Sequence, residues 1–113
     1  MALTPEGRVK IKIKALLKAR GIWFFMPQGG AFGASGIPDF ICCLPDEDGK
    51  LLGIEAKALG KRNNTTALQD GQIAGIRAAK GWAIVVDDPA QVEEFLDDRS
   101  AAAQRAGTQG QQP

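Results

Sequence analysis

Val9, Ile13 and Leu16 recur at helical spacing behind Thr4-Pro5, and Gly21 interrupts the pattern after Arg20. Apolar positions three and four apart line one face of a helix; Thr supplies an N-cap, and Pro sits well at the first helical position. The spacing predicts a first helix over residues 5–20, with Glu6 in the first turn, where the helix dipole favours an acid. Glu6 falls on the inward stripe with Val9 and Ile13, and Lys10, Lys14 and Lys18 fall on another side. The next apolar stretches are shorter. Residues 22–26 (IWFFM), 39–44 (DFICCL), 51–58 (LLGIEAKA) and 82–86 (WAIVV) are bounded by Gly, Pro or charged turns and read as strands. Residues 45–50 (PDEDGK) form a turn that makes 39–58 an antiparallel hairpin. Helical spacing returns at Leu68, Ile73, Ile76 and Ala79, predicting a helix over 67–80 stopped by Gly81. Val92, Phe95 and Leu96 give a last helix over about 90–98 behind Asp87-Asp88-Pro89. The expected order is α-β-β-β-α-β-α, an α/β (mixed-sheet α+β) domain.

Two segments fall outside this pattern. Residues 27–38 (PQGGAFGASGIP) are rich in glycine and poor in core side chains, as suits a loop that backbone or ligand approaches closely. The glycines lack the G-x-G-x-x-G spacing and no Walker lysine follows, so a nucleotide cofactor is not expected. From Arg99 the chain holds no large apolar residue, so residues 1–98 are expected to form the domain and 99–113 a disordered tail.

Composition narrows the chemistry. At 113 residues the chain suits one domain, and no apolar run approaches the ~18 residues of a membrane span. No hydrophobic stretch follows the opening residues MALTPEGRVK, so no signal peptide is expected; the adjacent Cys42 and Cys43 cannot staple a fold, and a cytoplasmic location is expected. There is no His and no Tyr. Without His, the Ser-His-Asp and Cys-His hydrolases and His-ligated zinc enzymes are excluded; without Tyr, so is attack by a tyrosine hydroxyl. Carboxylates, Lys, Ser/Thr, Cys or a metal ion must carry any catalysis. The net charge of +1 is unevenly placed, +4 over residues 1–62 and −3 over the rest. The basic half, with Lys10, Lys14 and the loop pair Lys61-Arg62, is the candidate surface for a polyanion.

Charges within apolar strands are the informative ones, because burying a charge without a partner is expensive. Glu55 and Lys57 are two apart on the third strand and share a face, while Leu52, Ile54 and Ala56 face the core. If the hairpin pairs as read, Asp39 meets Glu55. Two carboxylates this close favour a hard divalent cation between them, and Mg²⁺ needs only one or two carboxylates when water and phosphate complete its shell. Such an ion polarises a phosphoryl oxygen and activates water without His, and Lys57 can orient that water or stabilise developing charge.

Pro38-Asp39 followed by Glu55-Ala56-Lys57 resembles the PD-(D/E)xK signature of the restriction-endonuclease-like nucleases. The wider frame resembles their VRR-NUC branch, the virus-type replication-repair nuclease domain. It comprises a leading-helix Glu, a Gly-Gly loop, G-I-P-D-F, G-I-E-A-K-A, a Gln-bearing helix and A-I-V-V, over about residues 4–97. The resemblance implies a restriction-endonuclease-like core and catalytic residues Glu6, Asp39, Glu55, Lys57 and a helix glutamine. Counting back from Lys80-Gly81 favours Gln69, with Gln72 as the rival. It also implies Mg²⁺ or Mn²⁺ bound by Asp39, Glu55 and the Ala56 backbone carbonyl. The implied activity is structure-specific DNA endonuclease action by a homodimer similar to Holliday-junction resolvases, with branched or four-way DNA as partner and a phage or bacterial source (host cytoplasm, if phage-encoded). A nonspecific or nicking DNase of the same superfamily and a non-catalytic DNA-binding subunit are the alternatives.

Overall fold

A computed structural model describes residues 3–28 and 35–110. The middle of the glycine-rich loop, Phe32 included, lies outside them. The order is α1 (Pro5–Ala19), β1 (Trp23–Phe25), β2 (Phe40–Leu44), β3 (Lys50–Ala56), α2 (Ala67–Ala78), β4 (Trp82–Val86) and α3 (Pro89–Gly110), with one 3-10 turn at Pro45–Glu47. The four strands form one sheet in the order β1-β2-β3-β4. The first two pairings are antiparallel and β3–β4 is parallel, so α2 is a crossover connection.

Local chemistry accounts for most element ends. The Thr4 hydroxyl accepts from the Gly7 amide at 2.9 Å to open α1. Ile22, expected in the first strand, instead closes the helix: its amide donates to the Leu17 carbonyl at 3.0 Å, which leaves β1 three residues long. The β2–β3 turn has Asp48 and Gly49 at positive φ (58° and 81°), and the Gly49 amide donates back to Leu44 O.

One sheet face carries the main core. Phe40, Cys42 and Leu44 of β2 and Leu52, Ile54 and Ala56 of β3 pack with Val9, Ile13 and Leu17 of α1 and Val92 and Leu96 of α3. The innermost residue of the last α1 turn is Leu17, fully buried, with Leu16 packed at its edge.

The opposite face is covered only in part. A Cβ on Gly53 would lie 3.1 Å from Ile76 Cδ1 and 3.0 Å from Pro38 Cγ, which marks how closely α2 and the loop approach β3 there. Towards β1 no described element covers the same face, and Trp23, Phe25 and Cys43 are exposed. At Gly36 (φ +82°) a Cβ would stand 2.4 Å from the Leu68 backbone, so only glycine lets the loop meet the start of α2.

The last helix overruns its expected end near Asp98 and continues to Gly110, so residues 99–110 are helical where a disordered tail was expected. Contacts remote in sequence hold its middle. Arg99 pairs with Glu47 (3.6 Å), and the Ser100 hydroxyl donates to Asp46 (2.9 Å). The Trp82 ring has the Arg99 guanidinium 4.6 Å and the Lys50 ammonium 4.5 Å from its centroid, and its indole N–H donates to Glu47. No helix among the described residues is long and apolar enough to cross a membrane.

Candidate active site

Pairing of Phe40 with Ile54 fixes the hairpin register, and the next step along it sets Asp39 beside Glu55. Asp39 is anchored from behind: its Oδ2 accepts the Ala56 amide at 2.8 Å, so the last β3 pair is completed by a side chain. Glu55 and Lys57 project to the face that α2 covers and are only 3% and 8% exposed. Their chain is held straight by the Lys57 amide, which donates to Val86 O of β4 (2.8 Å).

The first turn of α2 completes the cluster. Thr66 and Gln69 form a capping box: the Thr66 hydroxyl accepts the Gln69 amide and Gln69 Oε1 accepts the Thr66 amide. The side chain so fixed also reaches the sheet. Gln69 Oε1 accepts from Lys57 Nζ at 2.8 Å, and Gln69 Nε2 donates to Glu55 Oε2 at 3.3 Å, while Lys57 Nζ lies 3.8 Å from Glu55. Gln72, the rival glutamine, points elsewhere and donates to the Ser35 carbonyl.

Glu6 reaches the cluster through Lys10. The Lys10 ammonium bridges Glu6 (3.0 Å) and Asp39 (3.1 Å). This corrects the expectation that Lys10 falls on another side of the helix from Glu6, away from the carboxylates. Glu6 and Lys10 are one helical turn apart, an i,i+4 pair that shares a side of α1. Burial pulls the Lys10 pKa down, but hydrogen bonds to Glu6 and Asp39 and their charges outweigh it and leave it raised. Lys14, Lys61 and Arg62 are exposed, and Arg62 Nε donates to Val85 O.

Electrostatics single out Glu55. Burial first, then the Asp39 charge and its hydrogen bond, push its pKa up to about 8 against the pull of Lys57, with Glu6 adding to the rise. Such a shift marks negative charge crowded into a dry place. Cys42 is a different case: burial and the neighbouring Cys43 push its thiol up to about 12, so it is an inert core group and no nucleophile.

The donor set suits a hard divalent cation. Asp39 and Glu55 would supply adjacent oxygen ligands whose mutual repulsion a dication relieves, and the Ala56 carbonyl lies between Glu55 and Lys57 in the chain. Among the described residues no three His, Cys, Asp or Glu side chains gather as a closed metal cage. Two carboxylates fit an ion that keeps waters and takes substrate oxygens.

No family model matches the chain, and no curated protein does. A solved structure described as a VRR_NUC domain superposes with a TM-score of 0.64 at 28% identity, over 84% of this chain and 97% of that one. The chain has the fold of a VRR-NUC domain. That match supports a nuclease-type domain and agrees with the mixed α/β, restriction-endonuclease-like core expected from its motifs.

Proposed function

We propose that this chain is a metal-dependent endonuclease that hydrolyses DNA phosphodiester bonds at the cluster of Asp39, Glu55, Lys57 and Gln69. The observation that carries the reading is the burial of Glu55 and Lys57 together, tied to one amide, at the end of an otherwise apolar strand. A structural ion pair has no need of a second carboxylate beside it, whereas a phosphodiesterase site does.

Asp39, Glu55 and the Ala56 carbonyl are the groups that would hold Mg²⁺ or Mn²⁺. When bound, that ion supplies positive charge to the scissile phosphate and acidifies a water. The residues themselves do the rest. Gln69 fixes the Lys57 ammonium beside Glu55, where it orients a water or meets charge developing on phosphate. Lys10 links Glu6 to Asp39 and holds that carboxylate from the side of α1. Lys14, Lys61 and Arg62 grip phosphates outside the cluster, which gives affinity without base reading.

A domain of this size has little room for a reading module beside the site, so we take DNA shape to decide the substrate, and the domain to act as a homodimer on branched or four-way DNA. Labelled duplex, nicked, flapped and four-way-junction DNAs, with Mn²⁺ or EDTA, test this. Mn²⁺-dependent cutting of the junction above the other forms is expected. Equal cutting of all forms would make it a nonspecific DNase, and binding without cutting a non-catalytic subunit.

A further inference from the structure

The two edges of the sheet are treated differently. On β4 the outward carbonyls are plugged by side chains: Arg77 Nε and Nη2 donate to Ala83 O (3.2 and 2.8 Å) and Arg62 Nε to Val85 O (3.1 Å). Charged side chains laid on an edge strand are a usual guard against pairing with another chain. On β1 no described side chain donates to a strand carbonyl. Its exposed side chains are Trp23 (61%) and Phe25 (49%), two apart on one face with ring centroids 6.0 Å apart. The register Trp23–Cys43–Leu51 continues the uncharged surface inward, through exposed Cys43 and Leu51. This is the half of the face that α2 leaves bare.

We infer that a second copy of this chain pairs along β1, antiparallel about a two-fold axis perpendicular to the sheet, and joins two four-stranded sheets into one of eight. The inference rests on the two-copy reading above and adds the surface. Self-pairing suits this strand because a three-residue edge offers its own copy the same donors, acceptors and rings, and no charge is buried. A phosphate backbone finds no cation on this face of β1, which argues against DNA as the occupant. A perpendicular two-fold also keeps both copies' Glu55 on one side of the sheet. With strands ~4.8 Å apart and a rise of ~3.4 Å per residue, pairing centred on Phe24 sets the two clusters about 30 Å apart on a shared face. The exposed parts of Trp23 and Phe25 contribute roughly 250 Å² per copy. Even doubled, that is below the ~1,200 Å² of a stable complex, so the free dimer is weak and depends on concentration.

Sedimentation velocity of the full chain from low to high micromolar concentration tests this. Three proteins are compared: wild type, Trp23→Lys/Phe25→Lys, and Leu68→Lys, which alters an equally exposed apolar residue on α2. The account expects self-association in wild type and in the Leu68 variant, and at least tenfold weaker association in the β1 variant with unchanged melting. Should the β1 variant not fold, amide exchange on wild type serves instead, with protection at Trp23–Phe25 rising as concentration rises. Association equal in all three, or no concentration effect at β1, overturns this surface and leaves the dimer standing. A wild-type monomer at every concentration overturns both.

Discussion

Lys57 is the residue whose environment says most about its role. It is buried, yet among the described residues its ammonium has only Gln69 within hydrogen-bond distance and Glu55 at 3.8 Å, so donor capacity remains for a third partner. Lys57→Met keeps the aliphatic stem and removes the charge. Cleavage is expected to fall at least 100-fold, about 2.7 kcal/mol of barrier, with the fold retained by circular dichroism. Activity within tenfold of wild type would take Lys57 out of the chemistry. Glu55 makes a prediction of opposite character, about stability. Its carboxyl titrates near 8 in the fold against an ordinary value of 4.5. Between those values the native state keeps a proton that the unfolded chain has lost, so the stabilising contribution is complete below the lower value. It is lost as pH rises through the upper one. Metal-free protein should therefore lose stability between pH 5 and 8, by an amount of order a few kcal/mol, and Glu55→Gln should flatten that slope. Urea denaturation in EDTA at the two pH values measures it, and parallel slopes in the two proteins would contradict the burial argument.

At the scale of elements, the start of α2 is where fold and site share one device. Gln69 caps the helix and binds both Lys57 and Glu55, and Thr66 holds Gln69 in place. Thr66→Ala removes the hydroxyl that accepts the Gln69 amide and should cost about 1 kcal/mol of stability. If the box also positions Gln69 for chemistry, the same variant lowers kcat by more than KM changes, and Thr66→Ser restores both. Steady-state cleavage kinetics beside thermal melts decide it: loss of stability with kcat untouched would reduce the box to a helix cap. The preference for Gln69 over Gln72 was legible by counting back from Lys80-Gly81. The cap itself is written in the sequence too, since Thr followed three residues later by Gln is a helix-start pattern.

Across the whole molecule, what the chain made legible was local or governed by strand alternation. The approach of Asp39 to Glu55 followed from the turn and the alternation of strand residues; the structure pairs Phe40 with Ile54, one step before it, and Asp39 accepts the Ala56 amide. What stayed hidden needed elements far apart in sequence. The burial of Glu55 and Lys57 depends on α2 crossing over Gly53, which a strand pattern does not reveal. Lys10 joins the cluster because packing of Val9 and Ile13 into the core turns the Glu6–Lys10 side of α1 towards Asp39. The helical turns after Asp98 rest on Arg99 with Glu47 and Trp82 and on Ser100 with Asp46, all remote in sequence, whereas composition there suggests only a polar tail.

The central claim is that Asp39 and Glu55 form a divalent-metal centre, and calorimetric titration of Mn²⁺ into wild type, Asp39→Asn and Glu55→Gln at neutral pH tests it most directly. The account predicts a binding isotherm in wild type that weakens at least tenfold in each variant, together with their nuclease activity. Equal Mn²⁺ affinity in all three proteins would contradict it.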